Sequence, residues 1–319
     1  MNFTAGTRGS QLARWQTEHV RDLLRQARPD AAIALEVVRT TGDRITDVPL
    51  SRIGDRGLFT RELDRAVLDG AADFAVHSLK DIPTELAQGI VLAAVLERED
   101  SRDAFLNAPG RAASLAGLPP AAMVGTSSLR RRALLLEARP DLRVLDLRGN
   151  LDTRIERLAR GDYDGAILAL AGIKRLGRAD VVGELLSAPG WLPAPGQGAV
   201  AVVCRAGDET VLDLLRVLDH VRTRSEVLAE RAFLHALEGG CQVPLGALAQ
   251  VHDDGLVLHG FVAGVHSGTL LRGEQDGAAA DPEAAGLALA RQLRARGAAA
   301  LLDESRHPEG GIIPTVTPP

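Results

Sequence analysis

Two cysteines occur in the 319-residue chain, Cys204 and Cys241. Cys241 follows the double glycine at 239–240 and precedes Pro244, so its thiol lies on a loop with a flexible backbone. A thiol in such a loop suits covalent attachment of a ligand, whereas a free cysteine more often packs as a small apolar side chain. The local sequence leaves both interpretations open. Two cysteines provide neither a disulfide framework nor a multi-cysteine metal site.

Cationic and hydroxyl side chains form groups where predicted strands end or helices begin. The first group is the run Thr126–Arg132, where N–H groups at a helix start and adjacent guanidinium groups favour an anion. The other groups are Arg148–Asn150 followed by Arg154, Lys174–Arg175, and Arg8 with Ser10. A single surface arginine usually carries only solvated charge. Several groups at the carboxyl ends of strands in an open α/β sheet predict an anion-binding site.

Asp81 is a carboxylate among this positive charge, directly after Lys80. One interpretation is structural: Asp81 lies at a helix start or forms an ion pair. The other is catalytic: its carboxylate stabilises a cationic intermediate and transfers protons. His77 is predicted to be a packed residue at a strand end rather than a base. No cluster of His, Asp and Glu has metal-ligand spacing, and no phosphate-binding or dinucleotide motif occurs.

Alternating strands and helices are predicted to position these groups. Ser10 is expected to cap a helix with an apolar stripe at Leu12, Trp15, His19/Val20, Leu23, Leu24 and Ala27. Strands are predicted at 33–38, 74–77, 90–96, 123–125, 144–147 and 165–170. Helices are predicted at 61–68, 128–138 and 151–159, and a short helix that ends at 176 follows the last of these strands. This alternation predicts a mostly parallel sheet covered on both faces.

Two polar segments and a C-terminal region complete this organisation. Residues 40–57 are glycine-flanked and polar, which suits a mobile lid. The Pro/Gly segment 193–198 is predicted to be a hinge, and strand 199–204 is expected to return to the first sheet. Helices at 210–218, 225–237 and 282–296 and strands at 245–251, 256–265 and 269–273 predict a small α+β domain, with frayed residues at 307–319.

Composition narrows the class of protein. The chain is 45% apolar and 25% charged with a net charge of −5 and 3% aromatic residues, and no apolar run approaches membrane-spanning length. We therefore expect no membrane and no nucleic-acid partner, and the two cysteines and absent export signal favour the cytoplasm. Of 37 basic residues only Lys80 and Lys174 are lysine, and a lysine offers a compact point charge where arginine offers a planar fork.

Taken together, the motifs resemble those of the porphobilinogen deaminase family. The matching stretches occur in the family's order and span most of the chain, leaving only the C-terminal stretch weakly marked. They are residues 7–10, 54–59, 76–83, 124–131, 147–151, 196–199 and 238–244. The resemblance implies an α/β fold of two type II periplasmic-binding-protein-like domains plus a small C-terminal α+β domain. The implied boundaries are 1–98 with 196–217, 99–195, and 218–319, the third domain carrying Cys241.

The resemblance also implies a transferase of tetrapyrrole and heme biosynthesis. Four porphobilinogen molecules are joined head to tail with loss of ammonia, and hydrolysis then releases hydroxymethylbilane. The chain would grow on a dipyrromethane cofactor attached to Cys241 through a thioether. Asp81 would be the catalytic residue, stabilising the azafulvenium cation formed as ammonia leaves, and it would also contact the cofactor. The enzyme is expected to be a monomer without a metal.

Binding residues follow from the same resemblance. Cofactor contacts are assigned to Lys80, Thr126, Ser127, Ser128, Arg130 and Arg131, with Asp43 and Gln197 as secondary contacts. Substrate contacts are assigned to Arg8, Ser10, Arg148, Arg154, Arg175 and Arg56. Arginine-rich surroundings suit this chemistry because every pyrrole unit carries acetate and propionate side chains.

The chain departs from the family pattern at three positions. Arg52 and Arg56 stand where the family often has lysine, and Cys204 stands where an acidic residue is more usual. We expect Cys204 to be structural and unmodified. Two other classes remain as alternatives: a periplasmic-type anion receptor, disfavoured by the missing export signal and the Cys241 loop, and a nucleic-acid-binding protein, disfavoured by the acidic net charge and few aromatic residues.

Overall fold

The computed structural model describes residues 1–40, 57, 60–237 and 243–306. Most of the predicted lid at 40–57 and the predicted frayed end at 307–319 lie outside these residues. The chain divides into two compact units: Met1–Glu99 with Gly196–Ser225, and Asp100–Pro195 with Glu226–Pro319. We call them unit 1 and unit 2. The three predicted domain boundaries remain a prediction.

Unit 1 is built on a five-stranded mixed sheet. Its strands are β1 (Asn2–Arg8), β2 (Ala32–Val38), β3 (Phe74–Ser78), β4 (Ile90–Val95) and β10 (Val200–Arg205), in the order β2-β1-β3-β10-β4. β1 is parallel to β2 and β3, whereas β10 is antiparallel to both β3 and β4. The strand after the hinge therefore returns to the first sheet, as predicted.

Helix α1 (Gln11–Ala27) begins where the sequence predicts, because the Ser10 hydroxyl accepts a hydrogen bond of 3.3 Å from the Ala13 N–H. Its buried face differs from the predicted apolar stripe. The buried residues are Ala13, Gln16, Thr17, Val20 and Leu24, whereas His19 and Ala27 are exposed. Apolar periodicity missed the polar members of this face because each has its own hydrogen-bond partner.

The remaining elements of unit 1 cover the sheet. They are α2 (Arg61–Leu68), a 3₁₀ turn at Leu79–Asp81, α6 (Glu209–Leu215) and a 3₁₀ turn at Arg216–Leu218. The core includes Val20 and Leu24 of α1, Phe74 of β3, Val202 of β10 and Leu215 of α6. Burial of these apolar side chains on both faces holds the strand ends, and hence the polar groups that follow them, in fixed positions.

Unit 2 repeats this sheet topology. Its strands are β5 (Asp103–Asn107), β6 (Met123–Gly125), β7 (Arg143–Leu145), β8 (Gly165–Ala169) and β9 (Val182–Leu186), in the order β7-β6-β8-β5-β9. β6 is parallel to β7 and β8, and β5 is antiparallel to β8 and β9. The helices are α3 (Leu129–Ala138), α4 (Leu151–Ala159) and α5 (Leu170–Arg175), with a 3₁₀ turn at Ala179–Val181.

The C-terminal part of unit 2 is a smaller α+β arrangement. Strands β11 (Leu245–His252), β12 (Gly255–Ala263) and β13 (Leu270–Ala278) form an antiparallel sheet in that order. It packs with α7 (Val221–Ala236), α8 (Pro282–Ala295) and α9 (Ala298–Arg306). The predicted fold class is thus confirmed: two α/β sheets of one topology and a small α+β region. Strands β1, β5 and β9 and helix α9 were not predicted, and both five-stranded sheets are mixed rather than mostly parallel in their strand pairings.

Candidate functional site

In unit 1 the carboxyl ends of the parallel strands β1 and β3 lie side by side, which brings Arg8 and Ser10 close to the segment His77–Asp81. Of these residues, all but Leu79 and Lys80 line a small pocket of about 60 Å³. Its full lining is Arg8, Ser10, Leu12, Ala13, Gln16, Val76, His77, Ser78 and Asp81. Because about 10–15 Å³ of such cavity volume suffices for one water molecule, the pocket can hold a group the size of a carboxylate.

Asp81 closes the 3₁₀ turn Leu79–Asp81 and is half-buried. The preceding residue, Lys80, donates a hydrogen bond of 3.3 Å from Nζ to Oε1 of Gln197. Gln197 is only 1% exposed, and its backbone oxygen accepts a bond of 2.9 Å from Nε of Arg98. The structure therefore brings together Lys80 and Gln197, which the sequence assigned to the same ligand.

His77 is buried at the end of β3, and its Nε2 has no hydrogen-bond partner among the described residues. Burial, reinforced by the positive charge of Arg8, lowers the pKa of His77 to about 4. The imidazole is therefore neutral at physiological pH. This state agrees with the expectation of a packed residue at a strand end.

Sequence reasoning assigned no role to two polar residues of this pocket, Gln16 and Ser78. Gln16 is 2% exposed, and its side-chain amide donates a hydrogen bond of 2.8 Å to the hydroxyl of Ser78. A glutamine inside an otherwise apolar helix repeat was the available signal. Its partner lies 62 residues away in sequence, so the helix pattern alone did not show what it binds.

In unit 2 the predicted polar groups follow three strands that run parallel. Thr126–Arg131 follows β6, Arg148 follows β7, and Arg175 ends the helix after β8. Because the carboxyl ends of β6, β7 and β8 lie at one edge of the sheet, the structure gathers these groups there. Arg175 is half-buried at the end of α5.

Hydroxyl groups organise the start of α3. The Ser128 hydroxyl accepts the Arg131 N–H at 3.4 Å, and the Thr126 hydroxyl accepts the Ser128 N–H at 3.3 Å. The Ser127 hydroxyl donates to the Leu147 carbonyl at 3.1 Å. These bonds fix the turn between β6 and α3, where unpaired helix N–H groups favour an anion.

The side chains of Arg130 and Arg131 point to Asp103, which is fully buried at the start of β5. Each guanidinium contacts one carboxylate oxygen at 2.8 Å, and Trp191 donates to Oδ2 at 2.9 Å. Arg130 also donates to the Leu192 carbonyl and Arg131 to the Ile167 carbonyl. Sequence reasoning missed Asp103 altogether. The assignment of both arginines to cofactor carboxylates remains a prediction.

Arg148 and Arg154 lie around a glycine turn. Nε of Arg154 donates to the Gly149 carbonyl at 2.8 Å, and Arg148 lies 3.9 Å from the Asp146 carboxylate. Gly149 has φ +103°, and a Cβ there would lie 2.8 Å from Cγ2 of Thr153. The turn therefore requires glycine, and it holds the Arg154 side chain against the start of α4.

Several predicted positions lie outside the described residues: Cys241, Asp43, Arg52 and Arg56. Cys204 is fully buried in β10, and burial raises the pKa of its thiol to about 11, which fits the expected structural role. Among the residues that the structure describes, no cluster of His, Cys, Asp and Glu could hold a metal ion. Within the same ranges, no helix is both long and apolar enough to span a membrane.

Fold and site define a mixed α/β protein with cationic and hydroxyl groups gathered at the carboxyl ends of its strands. Residues 3–213 match the family described as porphobilinogen deaminase, dipyromethane cofactor binding domain, and residues 225–295 match its C-terminal domain. The chain belongs to the porphobilinogen deaminase family, which confirms the resemblance found in the sequence.

Similar proteins cover almost the whole chain. It is 50% identical over 310 residues to a porphobilinogen deaminase of Moorella thermoacetica, covering 97% of this chain and 98% of the relative. It is 50% identical over 298 residues to a porphobilinogen deaminase of Xanthomonas euvesicatoria, covering 93% of this chain and 97% of that relative. Among solved structures, an arginine-specific periplasmic binding protein of Salmonella typhimurium matches with a TM-score of 0.39 at 11% identity, covering 68% of this chain and 91% of that one.

Proposed function

We propose that this protein is a transferase that joins four porphobilinogen molecules head to tail, releasing ammonia at each step and hydroxymethylbilane at the end. The observation that carries the proposal is the unit 1 pocket, where Asp81 lies with a guanidinium, two hydroxyls and a neutral imidazole. Membership of the porphobilinogen deaminase family supports the choice of substrate.

The pocket residues suit both substrate binding and the chemical steps. Arg8 and Ser10 supply donors for a substrate carboxylate, and among the described residues of the lining Asp81 is the one that carries a carboxylate. The C–N bond of the substrate's protonated aminomethyl group breaks, and its electron pair leaves on ammonia. Asp81 stabilises the cation left on the substrate pyrrole, where positive charge spreads to the ring nitrogen. After the new C–C bond forms, Asp81 assists removal of the proton from the attacked ring carbon.

Unit 2 provides the groups that suit a covalently held polycarboxylate. The hydroxyls of Thr126 and Ser128 and the guanidiniums of Arg130 and Arg131 supply donors near a helix start, and the Ser127 hydroxyl, bonded to the Leu147 carbonyl, belongs to the same turn. The fit has structural support, since Nε of Arg130 is buried without a hydrogen-bond partner among the described residues. When bound, the dipyrromethane group supplies the carbon nucleophile for the first condensation. We assign its thioether attachment to Cys241.

The remaining assignments complete the proposed binding set. Arg148, Arg154, Arg175 and Arg56 bind carboxylates of incoming substrate, whereas Lys80, Gln197 and Asp43 contact the cofactor. Gln197 fixes the Lys80 ammonium through the hydrogen bond described above, which supports a shared role. Lysine at this position provides a compact charge that arginine would not.

We also propose that the enzyme acts in the cytoplasm as a monomer. The free, buried thiol of Cys204 suits a reducing compartment. In the described residues, exposed large apolar side chains such as Val37, Leu68 and Leu185 are few for the length of chain, which suits a monomer. Size-exclusion chromatography with light scattering measures the mass directly, and a dimeric mass contradicts the monomer.

Asp81→Asn tests the proposed function, with Asp69→Asn as control because Asp69 is an exposed helix-end carboxylate of the same unit. We expect Asp81→Asn to fold and to carry a dipyrromethane adduct on Cys241, but to lose turnover by roughly 10²-fold or more. Intact-mass spectrometry and Ehrlich's reagent report the adduct, and Cys204 should carry none. Near-normal turnover in Asp81→Asn refutes its catalytic role. A wild-type protein that never acquires an adduct from porphobilinogen refutes the cofactor assignment.

A further inference from the structure

Asp103 is a fully buried carboxylate that none of the chemistry above uses, yet it holds two residues assigned to the cofactor. Its Oδ1 contacts Arg131 and its Oδ2 contacts Arg130, both at 2.8 Å, while Trp191 donates to Oδ2 at 2.9 Å. Arg130 and Arg131 are 3% and 6% exposed. We call these four residues the Asp103 cluster.

The Asp103 cluster is strongly coupled electrostatically. Burial alone would raise the pKa of Asp103, but the two guanidiniums and the hydrogen bonds outweigh it and hold that pKa well below its usual range. Burial lowers the pKa of Arg130, and Asp103 acts in the opposite direction. Without Asp103, two adjacent guanidiniums would repel each other in a buried environment, so the carboxylate offsets this repulsion and holds both side chains in place.

The cluster also leaves a donor for a ligand. Arg130 uses its terminal nitrogens for Asp103 and the Leu192 carbonyl, but its buried Nε has no hydrogen-bond partner among the described residues. A buried N–H of a charged group without an acceptor is costly. Asp103 therefore fixes the guanidinium in an orientation that keeps one donor for an additional acceptor, and a carboxylate oxygen is the acceptor that best matches its charge.

We propose that Asp103 is a positioning residue for carboxylate recognition by Arg130 and Arg131, and that it governs how readily the protein acquires its covalent pyrrole primer. This inference rests on the proposed function, because it assumes that the acquired ligand is porphobilinogen-derived. Asp103 does not contact the reacting atoms. Its effect should therefore appear in primer loading and not in turnover by protein that is already loaded.

The test compares wild type with Asp103→Asn, Trp191→Phe and Glu137→Gln, all produced in cells that make no porphobilinogen. Glu137→Gln is the matched control, because Glu137 forms a two-pronged ion pair with Arg272 in the same unit at a partly exposed position. Each folded protein, checked by circular dichroism and its melting temperature, is incubated with porphobilinogen. The rate of adduct formation is then followed by intact-mass spectrometry.

We expect Asp103→Asn to load at least roughly tenfold more slowly than wild type, because a hydrogen-bonded buried charge is lost. Trp191→Phe keeps all the charges, removes one bond to Oδ2, and should load severalfold more slowly. Glu137→Gln should load like wild type. Turnover per loaded molecule of Asp103→Asn should stay within about threefold of wild type. General destabilisation would not slow loading while leaving turnover of the loaded protein nearly unchanged.

Loading of folded Asp103→Asn at the wild-type rate overturns the inference. If that variant does not fold, Trp191→Phe decides, and a wild-type loading rate in it overturns the inference equally. The proposed function fails in a distinguishable way: wild type and Glu137→Gln would then both remain without an adduct.

Discussion

A side-chain oxygen of Glu230 on α7 accepts a hydrogen bond of 2.9 Å from the backbone N–H of Ala249 on β11. Glu226, one helical turn earlier, accepts the Val251 N–H at 3.2 Å. Four residues of helix rise about 6 Å and two residues of strand about 6.6 Å, so the two carboxylates match alternate N–H groups. β11 is an edge strand, and α7 thus satisfies two of the outward N–H groups that an edge exposes, while the Ala247 N–H donates to the Pro193 carbonyl.

We expect Glu230→Ala to lower the free energy of unfolding by about 1–3 kcal/mol, because the buried Ala249 N–H loses its acceptor. Glu230→Gln keeps an acceptor oxygen and should cost less. Urea denaturation of both variants measures the difference, with the exposed Glu283→Ala on α8 as control. Equal stability of Glu230→Ala and wild type would show that the edge of β11 does not depend on this contact.

A second prediction concerns Gly198, which follows Gln197 in the segment predicted to be a hinge. Gly198 has φ +91°, and a Cβ there would overlap the carbonyl oxygen of Glu99. Gly207 has φ +78° with no atom within 4 Å of such a Cβ, so it isolates backbone strain from the clash. We expect Gly207→Ala to cost about 1 kcal/mol and Gly198→Ala clearly more. Thermal unfolding measures both, and equal costs would exclude the clash.

Elements with local signals were predictable from the sequence. The cap at Ser10, helix α2 at Arg61–Leu68 and helix α4 at Leu151–Ala159 all occur where local patterns place them. The motif residues Arg8, Ser10 and Asp81 are brought to one pocket, because parallel strands bring their carboxyl ends together. Such features depend on caps, short-range periodicity and strand direction, which a sequence carries locally.

Features that depend on distant partners were missed. Strand β5 has only five residues, begins with a carboxylate, and pairs with β8 and β9 far along the chain. Arg131 and Asp103 are 28 residues apart, so nothing local shows that a charged side chain will be buried. Arg130 and Arg131, which the sequence assigned to a ligand, are buried against Asp103, because tertiary pairing offsets the cost of desolvating them.

The lowered pKa of His77 predicts a pH effect on stability. Unfolded histidine takes up a proton below about 6.5, whereas in the folded protein the pKa of His77 is lowered to about 4. The unfolded state therefore binds more protons between these values, and stability falls as pH falls through this window. The contribution lost between pH 7 and pH 5 is about 2 kcal/mol.

His77→Gln removes this contribution and serves as the reference. Urea denaturation at pH 7 and pH 5 should show the stability advantage of wild type over His77→Gln shrinking by about that amount. Burial raises the pKa of Asp64 to about 6, so protonation of Asp64 makes the folded state more stable as pH falls, opposite to the effect of His77. Comparing wild type with His77→Gln at each pH cancels this contribution, because both proteins contain Asp64. An advantage that does not change with pH would contradict the neutral, buried state of His77.

The last prediction concerns Gln16, whose amide fixes the Ser78 hydroxyl inside the unit 1 pocket. Gln16→Leu keeps a similar volume but removes the donor, so Ser78 loses its fixed orientation. We expect kcat/KM for porphobilinogen to fall roughly tenfold, the effect of one lost hydrogen bond in a buried site. The melting temperature should stay the same or rise, because leucine suits a buried helix face better than an amide. Gln26→Leu, at an exposed position of the same helix, should change neither quantity. Unchanged kinetics in Gln16→Leu would show that the hydrogen bond between Gln16 and Ser78 contributes nothing to binding or turnover.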